Sequence, residues 1–139
     1  MTPKFKTRDV EKSLYTNYLK RAEECYHAAK SSFEAQEWNA ATISAIHAVI
    51  ASSDAMCIYF LGKRNASESH NKAAALFKSI KTDDEEISTN ANRIARVVSI
   101  KNMAEYEDRL VFRTEAEKAL RDCERFLGYV KGKLPDAKA

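Results

Sequence analysis

The sequence contains very little glycine and proline. Among its 139 residues there are three glycines and two prolines, and both prolines, Pro3 and Pro135, stand near the ends. Because nothing in the interior breaks a helix, turns must be short and long helices are the natural consequence. No segment alternates apolar and polar residues with a period of two, so we predict no strand. Without internal repeats or interior linkers, residues 1–139 correspond to a single domain.

Charge is absent from one long stretch of the chain. Between Trp38 and Gly62 the single formal charge is Asp54, whereas Lys, Arg, Asp and Glu make up 31% of the whole sequence. A helix without a charged stripe has no face that prefers water. Other helices, or a second copy of the chain, must therefore surround it.

A membrane span is the rival interpretation of this stretch, because its length of about 20 residues would suffice. Polar side chains such as Asn39, Ser52 and Asp54 are spread through it. A carboxylate near the bilayer centre costs ~2.5–3.5 kcal/mol on insertion scales. The start of the chain also lacks the apolar run of a signal peptide. We therefore expect a cytoplasmic protein with no membrane partner.

Cysteine and histidine are too few and too scattered for a metal site or a disulfide framework. Cys25, Cys57 and Cys123 lie far apart, each within an apolar stripe, and are predicted to be small buried hydrophobic residues. Glycine-rich phosphate loops are absent. We predict no metal and no cofactor. The formal net charge of +3 permits an anionic partner without requiring one.

What the sequence does contain is a series of apolar stripes with helical spacing. A first helix is predicted from Thr7 or Asp9 to Gln36, and a second from the Trp38–Asn39 turn to Leu61, with Asn39 as its cap and Gly62 as its stop. A polar loop leads to a short third helix, for which Asn65 or Ser67 is the predicted cap.

Two further helices begin at sequences that resemble capping boxes. Thr82 with Glu85 would open a fourth helix that runs towards Met103, and Thr114 with Glu117 would open a fifth, after a loop around residues 106–112. Four long helices with short connections bury their stripes best as an up-and-down bundle. We therefore predict an all-α, up-and-down four-helix bundle with one additional short helix on its outside.

The order of these segments resembles the HEPN domain family. The resemblance extends over roughly residues 15–134 and is carried by Tyr18–Glu24, Trp38–Ala41, Ile46–Ala48, Ser69–His70, Lys101–Tyr106, Glu115–Leu120 and Phe126–Leu127. It implies a helical bundle of bacteria and archaea that commonly forms homodimers. It also implies a neighbouring small nucleotidyltransferase as a partner, and in several members a ribonuclease toxin that works without metal.

The ribonuclease members carry an Arg, followed after a few residues by a His, near the end of the helix before the last one. Here Lys101 stands where the Arg would be and Asn102 follows it as it often does in the family, but Tyr106, Glu107 and Asp108 occupy the positions open to the His. Lys lacks the bidentate fork of Arg. Tyr ordinarily titrates near ~10, far from the neutral range that suits a general base.

This departure leads to a non-catalytic binding module as the first hypothesis, with a nucleotide, RNA or a partner protein as its ligand. A ribonuclease of a toxin–antitoxin pair that uses an altered motif is one alternative, and a purely structural interaction bundle is another. No residue is assigned as catalytic. Arg21 to His27 and Arg64 to His70 match the bare spacing of the family motif, but neither stretch lies on the fourth helix.

Five residues are predicted to lie in a binding cleft at the end of the fourth helix: Lys101, Asn102, Tyr106, Arg96 and Arg109. The cations suit the phosphates of a nucleotide or RNA. The alternative is a solvated face on which these cations pair with acids such as Glu105 and Asp108.

Two polar residues of the chargeless helix, His47 and Asp54, are predicted to form a buried pair, because an unpaired carboxylate inside a bundle is costly. A Lys or Arg from another helix, or a helix N-terminus, is the alternative partner for Asp54.

The same helix has a face without Lys or Glu, made of Ala40, Ala48, Ala51, Ala55 and Tyr59. We predict that a homodimer covers this face, with Lys101 and Tyr106 near its two-fold cleft.

Overall fold

The computed structural model describes residues 5–67, 71–80 and 84–135, and these form a helical bundle with one very small sheet. The elements are β1 (Thr7–Asp9), α1 (Tyr15–Glu34), α2 (Trp38–Leu61), β2 (Lys63–Asn65), α3 (Asn71–Lys78), α4 (Glu86–Ser99), α5 (Lys101–Tyr106) and α6 (Arg113–Lys133), with a single 3-10 turn before α1. The four long helices of the predicted bundle are α1, α2, α4 and α6. The all-α fold class is confirmed.

The chargeless helix α2 is the centre of the molecule. It ends at Leu61 as predicted but begins at Trp38, within the predicted turn, and 13 of its 24 residues are buried, against α1 and α6 above all. By length and composition α2 could also cross a membrane, with a mean hydropathy of 1.5 over its most apolar window. However, 61% of that window is buried inside the protein, as expected of a core helix.

Gly62 ends α2 as predicted. Its backbone is left-handed, with φ 71°, and its N–H donates to the Ile58 carbonyl at 3.0 Å. A side chain at this φ would be strained, which is why glycine is favoured just past a helix end. The chain then turns back across the end of α2 and enters β2.

The prediction of no strand is wrong. β1 and β2 pair in an antiparallel register, with Arg8 opposite Arg64. Each strand has three residues, too few for an alternating pattern to be visible, and the two are more than 50 residues apart in sequence. Because Thr7 and Asp9 belong to β1, the first helix starts at Tyr15, later than predicted.

The predicted helix caps are also corrected. Glu37, and not Asn39, stands at the N-cap of α2, and Asn65 lies in β2 while α3 begins only at Asn71. α6 begins at Arg113, so that Thr114 lies inside its first turn. Thr82 lies outside the described residues, and α4 begins at Glu86, beyond the predicted box.

The predicted fourth helix is broken at Ile100. α4 ends at Ser99, where Ile100 N–H bonds to the Val97 carbonyl, a tightened last turn, and α5 begins at Lys101. The described residues therefore contain two short α-helices, α3 and α5, instead of the one predicted. The break separates the Lys101–Tyr106 segment from α4.

The face of α2 that was predicted to contact a second copy of the chain is mostly buried within the single chain. Ala48, Ala51 and Ala55 are buried within the single chain, which leaves only Ala40 and part of Tyr59 of that face open. The cysteines are free, with Cys57 and Cys123 buried and Cys25 half-buried. Burial raises the pKa of the Cys123 thiol to about 12, as expected of a thiol that packs as an apolar side chain.

Candidate functional site

A cavity of about 540 Å³ lies where α2, β2, α3 and α5 meet. Its volume is in the range of pockets that hold small ligands, roughly 300–1,000 Å³. The residues that line it come from all four elements and the loop after β2: Ile50, Asp54, Arg64, Asn65, Ala66, Ser67, Ala73, Lys101, Asn102 and Tyr106. Three of the five predicted cleft residues, Lys101, Asn102 and Tyr106, therefore share one cavity.

The cavity holds two cations, Arg64 from β2 and Lys101 from α5. Within the described part of the chain, neither lies within 4.0 Å of a carboxylate oxygen. Arg64 Nη1 donates to the Asn65 carbonyl at 3.0 Å, but its Nε is buried without a hydrogen-bond partner among the described atoms. A buried donor without an acceptor is unfavourable. An acceptor atom brought by a ligand would satisfy it.

The loop after β2 is held by its own polar groups. Asn65 Oδ1 accepts from the Ser67 N–H at 3.2 Å, and Asn65 Nδ2 donates to the Ser67 carbonyl at 3.4 Å. These bonds fix the backbone that follows Arg64. Glu68, Ser69 and His70, including the His of the bare Arg64–His70 match, lie outside the described residues.

Asp54 supplies the only carboxyl group among the described residues that line this cavity. Burial raises its pKa from an ordinary 3.8 to about 7, and the nearby guanidinium groups of Arg64 and Arg21 offset part of that rise. The group therefore changes charge near neutral pH.

The predicted buried pair of His47 and Asp54 is absent. The His47 side chain is 54% exposed, and its Nε2 lies 3.7 Å from Glu105 Oε1 on α5. His47 and Asp54 are seven residues apart on one helix, a rise of roughly 10 Å. Both line a second cavity of about 270 Å³, together with Arg21. The cations that act on the Asp54 carboxyl group are Arg64 of β2 and Arg21 of α1, but neither forms an ion pair with it within 4.0 Å, so the alternative pair with a Lys or Arg of another helix is not seen either.

The other two predicted cleft residues, Arg96 and Arg109, do not line the large cavity. Arg96 forms two hydrogen bonds to Asp122 on α6, at 3.1 and 3.3 Å. Arg109 bonds to both oxygens of Glu115, at 2.9 and 2.7 Å. Both guanidinium groups therefore already form ion pairs with carboxylates of α6, and these pairs connect α4 and the α5–α6 loop to that helix.

Asn39 on the first turn of α2 positions α5 and the loop behind it. Its Nδ2 donates to the Ala104 carbonyl at 3.3 Å, and its Oδ1 accepts from the Val111 N–H at 2.9 Å. One side chain thus connects the core helix to both sides of the exposed loop 107–110. This contact fixes the helix that carries Lys101 and Asn102.

Three large apolar side chains between α5 and the start of α6, Tyr106, Leu110 and Phe112, are exposed, and we refer to them as the exposed apolar patch. Tyr106 and Leu110 are each 74% exposed and Phe112 is 62% exposed. Large apolar side chains exposed together are typical of contact surfaces. Tyr106 belongs to both features, since it also lines the cavity.

Sequence reasoning missed Arg64 as a cavity residue. It was considered only as the first residue of a chance motif match, because a polar segment outside any helix stripe gives no signal of its own. The signal that was present is Gly62, which ends α2 and turns the chain back, so that the following strand β2 reaches the cavity that Asp54 also lines. In the three described ranges, His, Cys, Asp and Glu side chains do not form a group of three or more that could hold a metal ion.

Comparison with known families matches the HEPN domain model to residues 15–133 of the chain. The match extends from the first residue of α1 to the last residue of α6 and includes every element that lines the large cavity. A search of curated proteins found no match to the sequence.

Proposed function

Since the chain belongs to the HEPN domain family, we propose that it is a non-catalytic nucleotide-binding module, in which the large cavity holds the phosphate of a nucleotide. The observation that carries this proposal is the presence of Arg64 and Lys101 in one cavity without a carboxylate oxygen of the described residues within 4.0 Å of either. Two cations that converge on a concave surface attract an anion, and the low dielectric of the walls strengthens that attraction.

Each cation suits a different part of the task. Arg64 has a planar fork with a buried, unpartnered Nε, and guanidinium groups match phosphate oxygens with paired hydrogen bonds. Lys101 adds a compact charge from α5, and the side-chain amides of Asn65 and Asn102 can donate to or accept from the remaining polar groups.

Binding without chemistry is proposed because no histidine lies among the described residues that line the cavity. By resemblance, Lys101 stands where the ribonuclease members carry the Arg, and Tyr106 is one of the three positions open to the His. Neither residue type ordinarily titrates near neutral pH, where a general base works best.

The experiment is calorimetric titration with a mononucleotide such as adenosine 5′-monophosphate. Arg64→Gln and Lys101→Gln should each weaken binding about tenfold, since a charge-assisted hydrogen bond contributes ~1.5–3 kcal/mol and 1.4 kcal/mol is a factor of ten. Lys20→Gln, which removes the same charge from the exposed face of α1, is the matched control and should leave affinity unchanged. Binding that ignores both cavity variants, or no binding at millimolar nucleotide, would contradict the proposal.

A metal-independent ribonuclease is the second candidate, and Asp54 is the observation that favours it. A carboxyl group with a pKa of about 7 beside two cations has the protonation behaviour of a general base. Incubation of unstructured RNA with the pure protein and a chelator decides between the two. Our proposal predicts intact RNA. Cleavage that Asp54→Asn or Tyr106→Phe abolishes would replace it with the ribonuclease.

We also propose that two copies of the chain form a homodimer through the exposed apolar patch. Tyr106 of the patch also lines the cavity, so that a symmetric partner would cover Tyr106, Leu110 and Phe112 and enclose the ligand site further. Two-fold homodimers are the commonest oligomers. A small nucleotidyltransferase is the competing occupant of the same surface.

A further inference from the structure

The cavity is lined by groups of opposite charge, with Asp54 as its carboxyl group. The carboxyl group projects from α2, whereas the cations come from β2 and α5. A site that binds only a phosphate is not expected to contain a carboxylate, because a carboxylate repels anions. The phosphate must therefore lie towards Arg64 and Lys101, and the part of the ligand near Asp54 must be uncharged or a hydrogen-bond donor.

The three groups do not neutralise one another within the protein. No ion pair within 4.0 Å joins Asp54 to Arg64 or Lys101, although all three are described and line the same space. Each of the three groups therefore remains available to a ligand. A ligand that satisfies them carries an anion at one end and a donor at the other.

We propose that Asp54 makes the cavity selective for ribonucleotides, by accepting a hydrogen bond from a ribose hydroxyl group while Arg64 and Lys101 hold the phosphate. This inference rests on the proposed function. An ionised carboxylate only accepts hydrogen bonds, and the 2′-hydroxyl is the donor that a ribonucleotide has and a deoxyribonucleotide lacks. The same pairing of a carboxylate with the 2′-hydroxyl operates in dinucleotide-binding folds.

A deoxyribonucleotide would leave the half-buried carboxylate without a donor. Sites built to hydrogen-bond a hydroxyl group reject the analogue that lacks it, because their own polar group then stays unpaired. A hydrogen bond to a charged group contributes ~1.5–3 kcal/mol, so the expected preference for the ribonucleotide is roughly tenfold or more.

The preference should depend on pH. Below pH 7 the Asp54 carboxyl group of the free protein is mostly protonated, since its pKa lies at about 7, and it loses its character as a charged acceptor. The charged and titratable groups that face it are Arg21 of α1, Arg64 of β2, Lys101 and Tyr106 of α5, and His47 and Cys57 of α2 itself. They affect both nucleotides equally, as does the phosphate, so the ratio of the two affinities isolates Asp54.

The test is calorimetric titration of the full chain with adenosine 5′-monophosphate and its 2′-deoxy counterpart at pH 6 and pH 8. For the wild type we expect a roughly tenfold ribose preference at pH 8 and a smaller one at pH 6. In Asp54→Ala the ratio should fall to about one at both pH values, and in Asp54→Asn it should be reduced and independent of pH. The melting temperature of each variant verifies that it is folded.

The two proposals fail in different ways. Equal affinities for both nucleotides, with binding that still requires Arg64 and Lys101, would overturn ribose selectivity and leave nucleotide binding intact. A preference that survives in Asp54→Ala would overturn the role of Asp54. Absence of binding by either nucleotide would overturn the proposed function itself.

Discussion

Glu115 is a single side chain that connects the α5–α6 loop to the start of α6. Its Oε1 accepts from the Phe112 N–H at 2.9 Å, and both its oxygens accept from Arg109. The Arg109 guanidinium and the Phe112 N–H together lower the pKa of the Glu115 carboxyl group from 4.5 to about 2. Glu115 thus holds the Arg109 side chain and the Phe112 backbone at the point where the exposed loop leads into α6.

Replacing Glu115 by alanine should therefore destabilise the protein by about 1 kcal/mol, the usual cost of losing a helix N-terminal cap bond. Chemical denaturation measures it. Glu117→Ala is the matched control: among the described residues Glu117 pairs with Arg121 alone, one turn further along the exposed face, and its loss should change the free energy of unfolding by roughly 0.2–0.5 kcal/mol. Equal effects of the two variants would mean that Glu115 acts only as one more surface acid.

The lowered pKa of Glu115 also predicts how its contribution to stability changes with pH. The contribution of an acid with a lowered folded-state pKa is complete above its unfolded value near 4.5 and is lost as the pH falls towards 2. The difference in stability between wild type and Glu115→Ala should therefore shrink between pH 5 and pH 2. A difference that stays constant over this range would exclude the ionised form as the stabilising one.

The effect of Asp54 on stability changes with pH in the opposite direction to that of Glu115. Its folded-state pKa lies above the unfolded one, so the native protein loses stability as the pH rises from about 4 to about 7. Asp54→Asn, which resembles the protonated form, should be more stable than wild type at pH 8 by at least ~1.4 kcal/mol, the equivalent of one pKa unit. At pH 4 the two should unfold alike. A variant less stable than wild type at pH 8 would indicate that the carboxylate is paired.

At the scale of elements, the Asn39 contact decides where α5 lies. Asn39→Ala removes the partners of the Ala104 carbonyl and the Val111 N–H, and leaving such groups unsatisfied costs ~1–3 kcal/mol. We expect faster hydrogen exchange at the Val111 amide and weaker nucleotide binding, although Asn39 does not line the cavity. Asn92→Ala, on the exposed side of α4, is the control and should alter neither. Unchanged exchange at Val111 would show that the loop is held by other contacts.

Much of the helical framework could be predicted from the sequence because strong signals coincided there. α2 was placed correctly by the absence of charge and by Gly62, whose left-handed conformation favours glycine. The strands could not be predicted, since a three-residue pair is stabilised by the tertiary position of its two segments and not by a local pattern. The break at Ile100 was hidden for a similar reason, because the apolar stripe continues through it.

The site was predictable in part. Family resemblance pointed to Lys101, Asn102 and Tyr106, and the structure brings these together. Spacing along a helix cannot say which element covers a given face, so Asp54 was assigned the wrong partner and Arg64 was missed. Arg96 and Arg109 were grouped with the cleft because they are close in sequence, but carboxylates on α6 hold them elsewhere.

For the whole molecule, the exposed patch is where an assembly would form. Leu110→Glu places a charge in the patch without touching the core, since Leu110 is 74% exposed, and should convert the proposed homodimer of about 31 kDa, twice the 15.7 kDa chain, into a monomer. Light scattering at micromolar concentration measures this. Leu14→Glu, which charges an exposed leucine at the start of α1, is the control and should remain dimeric. A wild-type protein that is monomeric under these conditions would remove the dimer from the account.

The central proposal is that the cavity between α2, β2, α3 and α5 holds a nucleotide phosphate. Titration of isotopically labelled protein with adenosine 5′-monophosphate, followed by backbone and arginine side-chain NMR signals, tests it most directly. We expect saturable shifts at Asp54, Arg64–Ser67 and Lys101–Tyr106, with the largest change at Arg64 Nε. Shifts confined to the α4–α6 face around Arg96 and Asp122, or no saturable shift at all, would contradict it.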